Sequence, residues 1–109
     1  MTVEVQICGL RSLPALAAAL DAGADYIGLV FFEKSPRYVA LSEAKALAAK
    51  ARGRAKVVAL VVDANDALIT SIVREVGPDI LQLHGSETPA RVAEIKRRSG
   101  CTVMKVIKV

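Results

Sequence analysis

Five short apolar segments alternate with four amphipathic ones along the 109 residues, and few folds accept that order. The apolar segments, at residues 3–7, 26–32, 56–62, 80–83 and 102–107, are rich in Val, Ile and Phe, which predicts strands. The segments between them carry helix start and stop signals. Ser12 caps the first, Pro14 fits its opening turn, Leu13, Leu16, Ala17 and Leu20 make one face, and Gly23 ends it. Ser42 is expected to cap the second, with Ala44, Leu47, Ala48 and Ala51 inward and Gly53 closing. Asn65 caps the third, whose stripe is Leu68, Ile69, Ile72, Val73 and Val76, stopped by Gly77-Pro78. Thr88-Pro89 opens the fourth, with Val92, Ala93 and Ile95 inward and Gly100 closing. Strand, helix, strand, repeated at this spacing, means a parallel sheet with right-handed crossovers. No linker or low-complexity tract interrupts it, so residues 1–109 read as a single unit of the α/β class.

Two architectures fit: a doubly wound sheet complete at five strands, or the first half of a (βα)8 TIM barrel. Alternate residues of a strand face opposite sides of the sheet. In the first strand Val3, Val5 and Ile7 share one face while Glu4, Gln6 and Cys8 share the other; in the fourth, Leu81 and Leu83 oppose Gln82 and His84. A doubly wound sheet is covered by helices on both faces and asks for two apolar faces. A barrel has helices outside only, and its inward positions near the top can be polar, so the barrel is favoured. Such barrels need about 200 residues or more. The sequence reaches Lys108-Val109 on strand five with no helix after it, and is therefore expected to be the N-terminal half, about four βα units plus strand five.

Composition removes other classes. Hydrophobic residues are 53% and charged ones 24%, which excludes disorder, while the apolar runs fall well short of the roughly 20 residues that span a bilayer. Two Cys do not make a disulfide scaffold, and one His cannot anchor a His-rich metal site. The net charge of +4 favours an anionic partner, either nucleic acid or a phosphorylated metabolite. Aromatics are only 4% and no basic stretch is interleaved with them, so no nucleic-acid partner is expected. The densest basic cluster, Lys96-Arg97-Arg98, suits the last turn of a helix. The apolar run after Arg11 is preceded by a strand and followed at once by Asp21 and Asp25, which reads as a helix rather than a signal peptide; the chain is expected to be cytoplasmic, with no membrane partner.

Barrel chemistry is built at the carboxyl ends of the strands. Cys8 sits there before Gly9, where a thiol can serve as general base or nucleophile; a small core residue is its ordinary alternative. Arg37, stiffened by Pro36 in the loop after strand two, could clamp a carboxylate or phosphate, or simply lie on a solvated type I turn. His84 ends strand four on the same face as Gln82, as ligand contact or as structural residue. Cys101 opens strand five at the opposite end of the sheet from Cys8, too far for a disulfide or a shared metal, and reads as structural. Asp25 lies at the bottom of strand two and Asp63 reads as a loop or capping residue after strand three.

Four ordered motifs carry a resemblance. Gln6-Ile7-Cys8-Gly9-Leu10, the run Gly23 to Phe32 (GADYIGLVFF), Lys34-Ser35-Pro36-Arg37-Tyr38, and Leu81-Gln82-Leu83-His84-Gly85 with Glu87 resemble the phosphoribosylanthranilate isomerases of tryptophan biosynthesis, across all 109 residues. The resemblance implies a (βα)8 barrel that performs an Amadori rearrangement. N-(5-phosphoribosyl)anthranilate becomes 1-(2-carboxyphenylamino)-1-deoxyribulose 5-phosphate, with no cofactor and no metal. It implies Cys8 as general base, Arg37 as the clamp on the anthranilate carboxylate, and His84 and Gln82 as lining of the pocket for this phosphorylated small molecule. In the family an Asp after a later strand protonates the ring oxygen.

Two departures carry expectations. The family usually has Lys where this chain has Gln6, and Lys105 or Arg11 is expected to supply the missing cation near the thiol. The catalytic Asp and the phosphate-binding loops belong to strands after the fifth, so the 109 residues alone are expected to be a truncated, essentially inactive piece. A competing reading is a non-enzymatic half-barrel that self-associates through the open edges of strands one and five. Others are a different phosphosugar barrel enzyme, and a small doubly wound binding domain, which would need acids at the end of strand one, where Cys8 stands.

Overall fold

The structure, a computed structural model, describes residues 3–107; Lys108 and Val109 lie outside them. Its elements are β1 (Gln6–Cys8), α1 (Leu13–Asp21), β2 (Tyr26–Val30), α2 (Leu41–Ala51), β3 (Lys56–Val61), α3 (Asp66–Glu75), β4 (Ile80–Leu83), α4 (Pro89–Ser99) and β5 (Thr102–Lys105). All four strand pairs are parallel and the order across the sheet is β1-β2-β3-β4-β5. That order is not the order of a doubly wound sheet. A doubly wound sheet reverses its strand order to put helices on both faces. Here every right-handed crossover advances in one direction, so the helices fall on one face, each packed against the next.

Between that helix layer and the sheet lies the main core, built on Ile27, Leu29, Val57, Ala59, Leu81 and Leu83 from the strands and Leu16, Leu47, Ile69, Ile72 and Ile95 from the helices. The other sheet face carries the row Cys8, Gly28, Val58, Ile80, Thr102 and the row Val30, Leu60, Gln82, Met104. The sheet curls around this second face. Gln6 is in register with Lys56 of β3, and Gln82 with Leu60, four residues further along. On a flat sheet the two glutamines would be about 14 Å apart across three strands and about 13 Å apart along them. Their amides are 3.2 Å apart, which only tilted strands on a concave surface allow.

Three of the four expected caps are present. Ser12 Oγ accepts from the Ala15 N–H, Asn65 Oδ1 from Leu68 and Thr88 Oγ1 from Arg91, and Gly100 leaves α4 at φ +67°. Ser42 is not a cap: α2 starts one residue earlier at Leu41, after Ala40, and no side chain closes its first turn. On α1, Leu13 and Ala17 face solvent and Ala19 is buried instead, so the inward stripe is narrower than the Leu pattern suggested. Ala93 of α4 is likewise exposed, while Val92 packs at the core margin. β1, β2, β3 and β5 are shorter than their apolar segments. Phe31, beyond the end of β2, is buried without being paired in a strand. At the amino edge two aspartates latch neighbouring strands: Asp25 Oδ2 accepts from Val5 N–H and Asp79 Oδ2 from Val57 N–H, each at 2.8 Å. Among the described residues no helix is long and apolar enough to cross a membrane.

Candidate active site

Cys8 is the last residue of β1, half-buried, and faces Gly28 of β2 on the concave side. A Cβ added at Gly28 would stand 2.7 Å from the Cys8 sulfur and 3.1 Å from its Cα, so the thiol occupies the space the glycine leaves. The chain then turns at Gly9, whose φ of +82° few other residues adopt.

Arg37 comes to the same corner from the loop after β2. Ser35 N–H donates to the Phe32 carbonyl and Tyr38 N–H to the Ser35 carbonyl, a pair of tight turns, and the Val39 N–H returns to the carbonyl of Val30. Arg11 Nη1 donates to the Pro36 carbonyl at 3.0 Å and ties the loop to the β1 side. The Arg37 side chain lies across Gly9, its Cδ 2.4 Å from where a Cβ there would be. Among the described residues no carboxylate or carbonyl occupies its exposed guanidinium. The Gly9 turn therefore leaves the space in which the Arg37 side chain lies.

Gln82 of β4 reaches the same face. Gln6 Nε2 donates to Cys8 Sγ at 2.9 Å and to Gln82 Oε1 at 3.2 Å, and Gln82 Nε2 lies 3.5 Å from Met104 Sδ. His84, half-buried, continues from β4 through its N–H to the Val61 carbonyl and lines a 480 Å³ cleft with Val62, Asp63, Glu87, Lys105 and Ile107. Neither Cys8 nor Arg37 lines that cleft. The four residues singled out from sequence thus fall at two stations: Cys8 and Arg37 at the ends of β1 and β2, with Gln82 of β4 joined to Cys8 through Gln6, and His84 in the cleft toward β4 and β5.

The cation expected to replace the family's lysine is not supplied by Lys105 or Arg11. Lys105 Nζ is held by Glu87 Oε1 at 2.8 Å and by the Gly85 carbonyl, and Arg11 is held by Pro36. The polar group against the thiol is the neutral amide of Gln6. Around Lys105 stands a clamp that no local spacing announced. Glu87, its side chain 2% exposed, also accepts from the Asp63 N–H at 2.8 Å, and Asp63 Oδ1 accepts from the Ser86 N–H at 2.7 Å. Asp63 pays for this with a left-handed φ of +48°, and a Cβ at Gly85 would strike it at 2.6 Å. Burial resists ionisation of Glu87, but the Lys105 ammonium and the backbone N–H groups outweigh it and hold the carboxyl below the ordinary glutamate range. Cys101, by contrast, sits before β5, its thiol pushed up by burial; it and Cys8 are both free.

Known proteins of similar sequence and structure share this arrangement of elements. N-(5'-phosphoribosyl)anthranilate isomerase of Rhodopseudomonas palustris (strain BisA53) is 58% identical over 109 residues, covering all of this chain and 50% of that protein. The crystal structure of phosphoribosyl anthranilate isomerase from Thermotoga maritima superposes with a TM-score of 0.91 at 29% identity, over 99% of this chain and 52% of that one. A second crystal structure, of such an isomerase in complex with reduced 1-(o-carboxyphenylamino)-1-deoxyribulose 5-phosphate, also gives 0.91 at 29% identity, over 99% and 55%. The chain spans about half the length of the curated relatives it matches. Since a model of the N-(5'phosphoribosyl)anthranilate (PRA) isomerase family matches residues 5–109, the chain belongs to that family.

Proposed function

We propose that residues 1–109 are the N-terminal half of a (βα)8 barrel that isomerises N-(5-phosphoribosyl)anthranilate to 1-(2-carboxyphenylamino)-1-deoxyribulose 5-phosphate. The observation that carries this reading is the placement of the Cys8 thiol over Gly28 and of the unoccupied Arg37 guanidinium across Gly9, the residue that follows Cys8. A carboxylate held by Arg37 would bring the sugar carbons of an anthranilate adduct over the sulfur. Ring opening, with a proton delivered to the ring oxygen, leaves a cationic C=N at C1. Cys8 as thiolate then takes the C2 proton, the C–H electrons move into a C1–C2 double bond, and the nitrogen is neutralised as an enolamine. Return of a proton at C1 and loss of the one on the C2 hydroxyl gives the ketone. No oxidant or metal is needed for this balance. His84 and Gln82 line the pocket in this reading.

The ring-opening acid is assigned outside residues 1–109, because the two acids of the cleft beside His84, Asp63 and Glu87, already serve the β3–β5 clamp. The concave sheet, the one-sided helix layer and the doubled length of the relatives support completion of the barrel by further strands. Loss of substrate fluorescence on turnover by the intact polypeptide tests the assignment. Cys8→Ala should lower kcat by about 10²-fold or more, and Arg37→Met should raise KM; full turnover by Cys8→Ala would overturn it. Residues 1–109 alone should show no turnover above background.

A further inference from the structure

A hydrogen-bonded line crosses the concave face from β5 to β1: Met104, Gln82, Gln6, Cys8. Its direction follows from chemistry. Gln6 has two N–H donors on one nitrogen, and one goes to sulfur and the other to the Gln82 carbonyl oxygen. Turning the Gln82 amide over would set NH2 against NH2, and its own NH2 would leave the Met104 sulfur, which only accepts.

We propose that Gln6 is a positioning residue for the Cys8 thiol, and that Gln82, three strands away, holds Gln6 in place. Resting on the reading of Cys8 as the base, this moves Gln82 from pocket lining to support of the reacting group. The physical reason lies in Gln6 itself, whose side chain is exposed and has three rotatable bonds. Without an acceptor on the far side it would spread over many rotamers, few of which reach the sulfur. With Gln82 in place the amide is pinned at both ends. An N–H donated to sulfur holds the side chain in one rotamer and fixes the direction in which its lone pairs point. Since β4 carries Gln82, the reactivity of a residue on β1 depends on how far the sheet is curled.

The test is the rate at which iodoacetamide alkylates Cys8 in the full chain at neutral pH, with Cys101 of the same molecule as internal reference for folding. Gln6→Ala and Gln82→Met should each slow Cys8 about three- to tenfold, as expected for one lost hydrogen bond, with Cys101 unchanged. The double variant should be no slower than Gln6→Ala, because both remove the same contact. Gln6→Lys on the Gln82→Met background should restore the rate, since a charged donor finds the thiolate unaided. In the intact enzyme both single variants should lower kcat with little change in KM. Parent-like alkylation of Gln6→Ala overturns the proposal, and parent-like alkylation of Gln82→Met removes the holding role. A variant that merely unfolds would expose Cys101 as well. If alkylation behaves as stated while Cys8→Ala keeps full turnover, the positioning stands and the catalytic reading of Cys8 falls.

Discussion

Gly28 sits in the interior of β2, where a glycine is ordinarily a weakness, and the Cys8 sulfur fills the space its missing side chain leaves. Gly28→Ala should cost about 1–3 kcal/mol through overpacking and displace the thiol, changing its alkylation rate. The control is Gly53→Ala at φ +90°, where nothing lies within 4 Å: it should cost backbone strain alone and leave Cys8 reactivity unchanged. Urea unfolding and alkylation of the two variants separate these effects; equal behaviour would mean that Gly28 is not reserved for the thiol. At this scale the sequence announced Cys8 and Arg37 through their neighbours, a Gly after one and a Pro before the other. It was silent on what touches them. The contact of Gln6 with Gln82 spans 76 positions, and the engagement of Lys105 by Glu87 depends on where the loop after β4 meets the end of β5, so neither leaves a local signature.

Among the elements, the alternation of strands and helices was legible because period and capping chemistry agree at each segment, and three caps stand where Ser, Asn and Thr precede an apolar stripe. Ser42 misled because a serine inside the first turn looks the same as one that closes it. Strand ends were overrun for a physical reason: rim residues such as Phe31 are buried by the helices after strand pairing has ceased, so apolarity outlasts the strand. The Glu87 clamp joins the ends of β3, β4 and β5, and it makes the packing of these elements depend on pH. Its carboxyl titrates below the ordinary glutamate range, so the folded state binds its proton less readily than the unfolded one. The stabilisation is complete above the unfolded value and is lost as pH falls through the folded one. Glu87→Gln should therefore lower stability by about 1–3 kcal/mol at neutral pH, and the gap to the parent should close on acidification toward pH 3. Urea titrations across that range check it, and a gap independent of pH would assign the cost to packing instead.

The whole molecule leaves both sheet edges open: β1 and β5 each pair on one side only, among the described residues. Apolar side chains stand exposed beside them, Val5 at 46%, Met104 at 43% and Ile107 at 77%. A row of unpaired N–H and C=O groups flanked by apolar residues is a template for another strand. In a completed barrel further strands of the same chain would take up both edges. A polypeptide restricted to residues 1–109 has only other copies of itself to offer. Sedimentation velocity should then show association that grows with concentration, through parallel pairing of edges. A lysine on each edge, Val5→Lys with Ile107→Lys, should return it to a monomer without unfolding the α/β layer, because both side chains lie outside the main core. In the intact polypeptide the same two substitutions should instead lower stability, since barrel closure would bury what is exposed here. A monomer at every concentration would show that the curled sheet already protects its edges, and would leave self-association without a driving force.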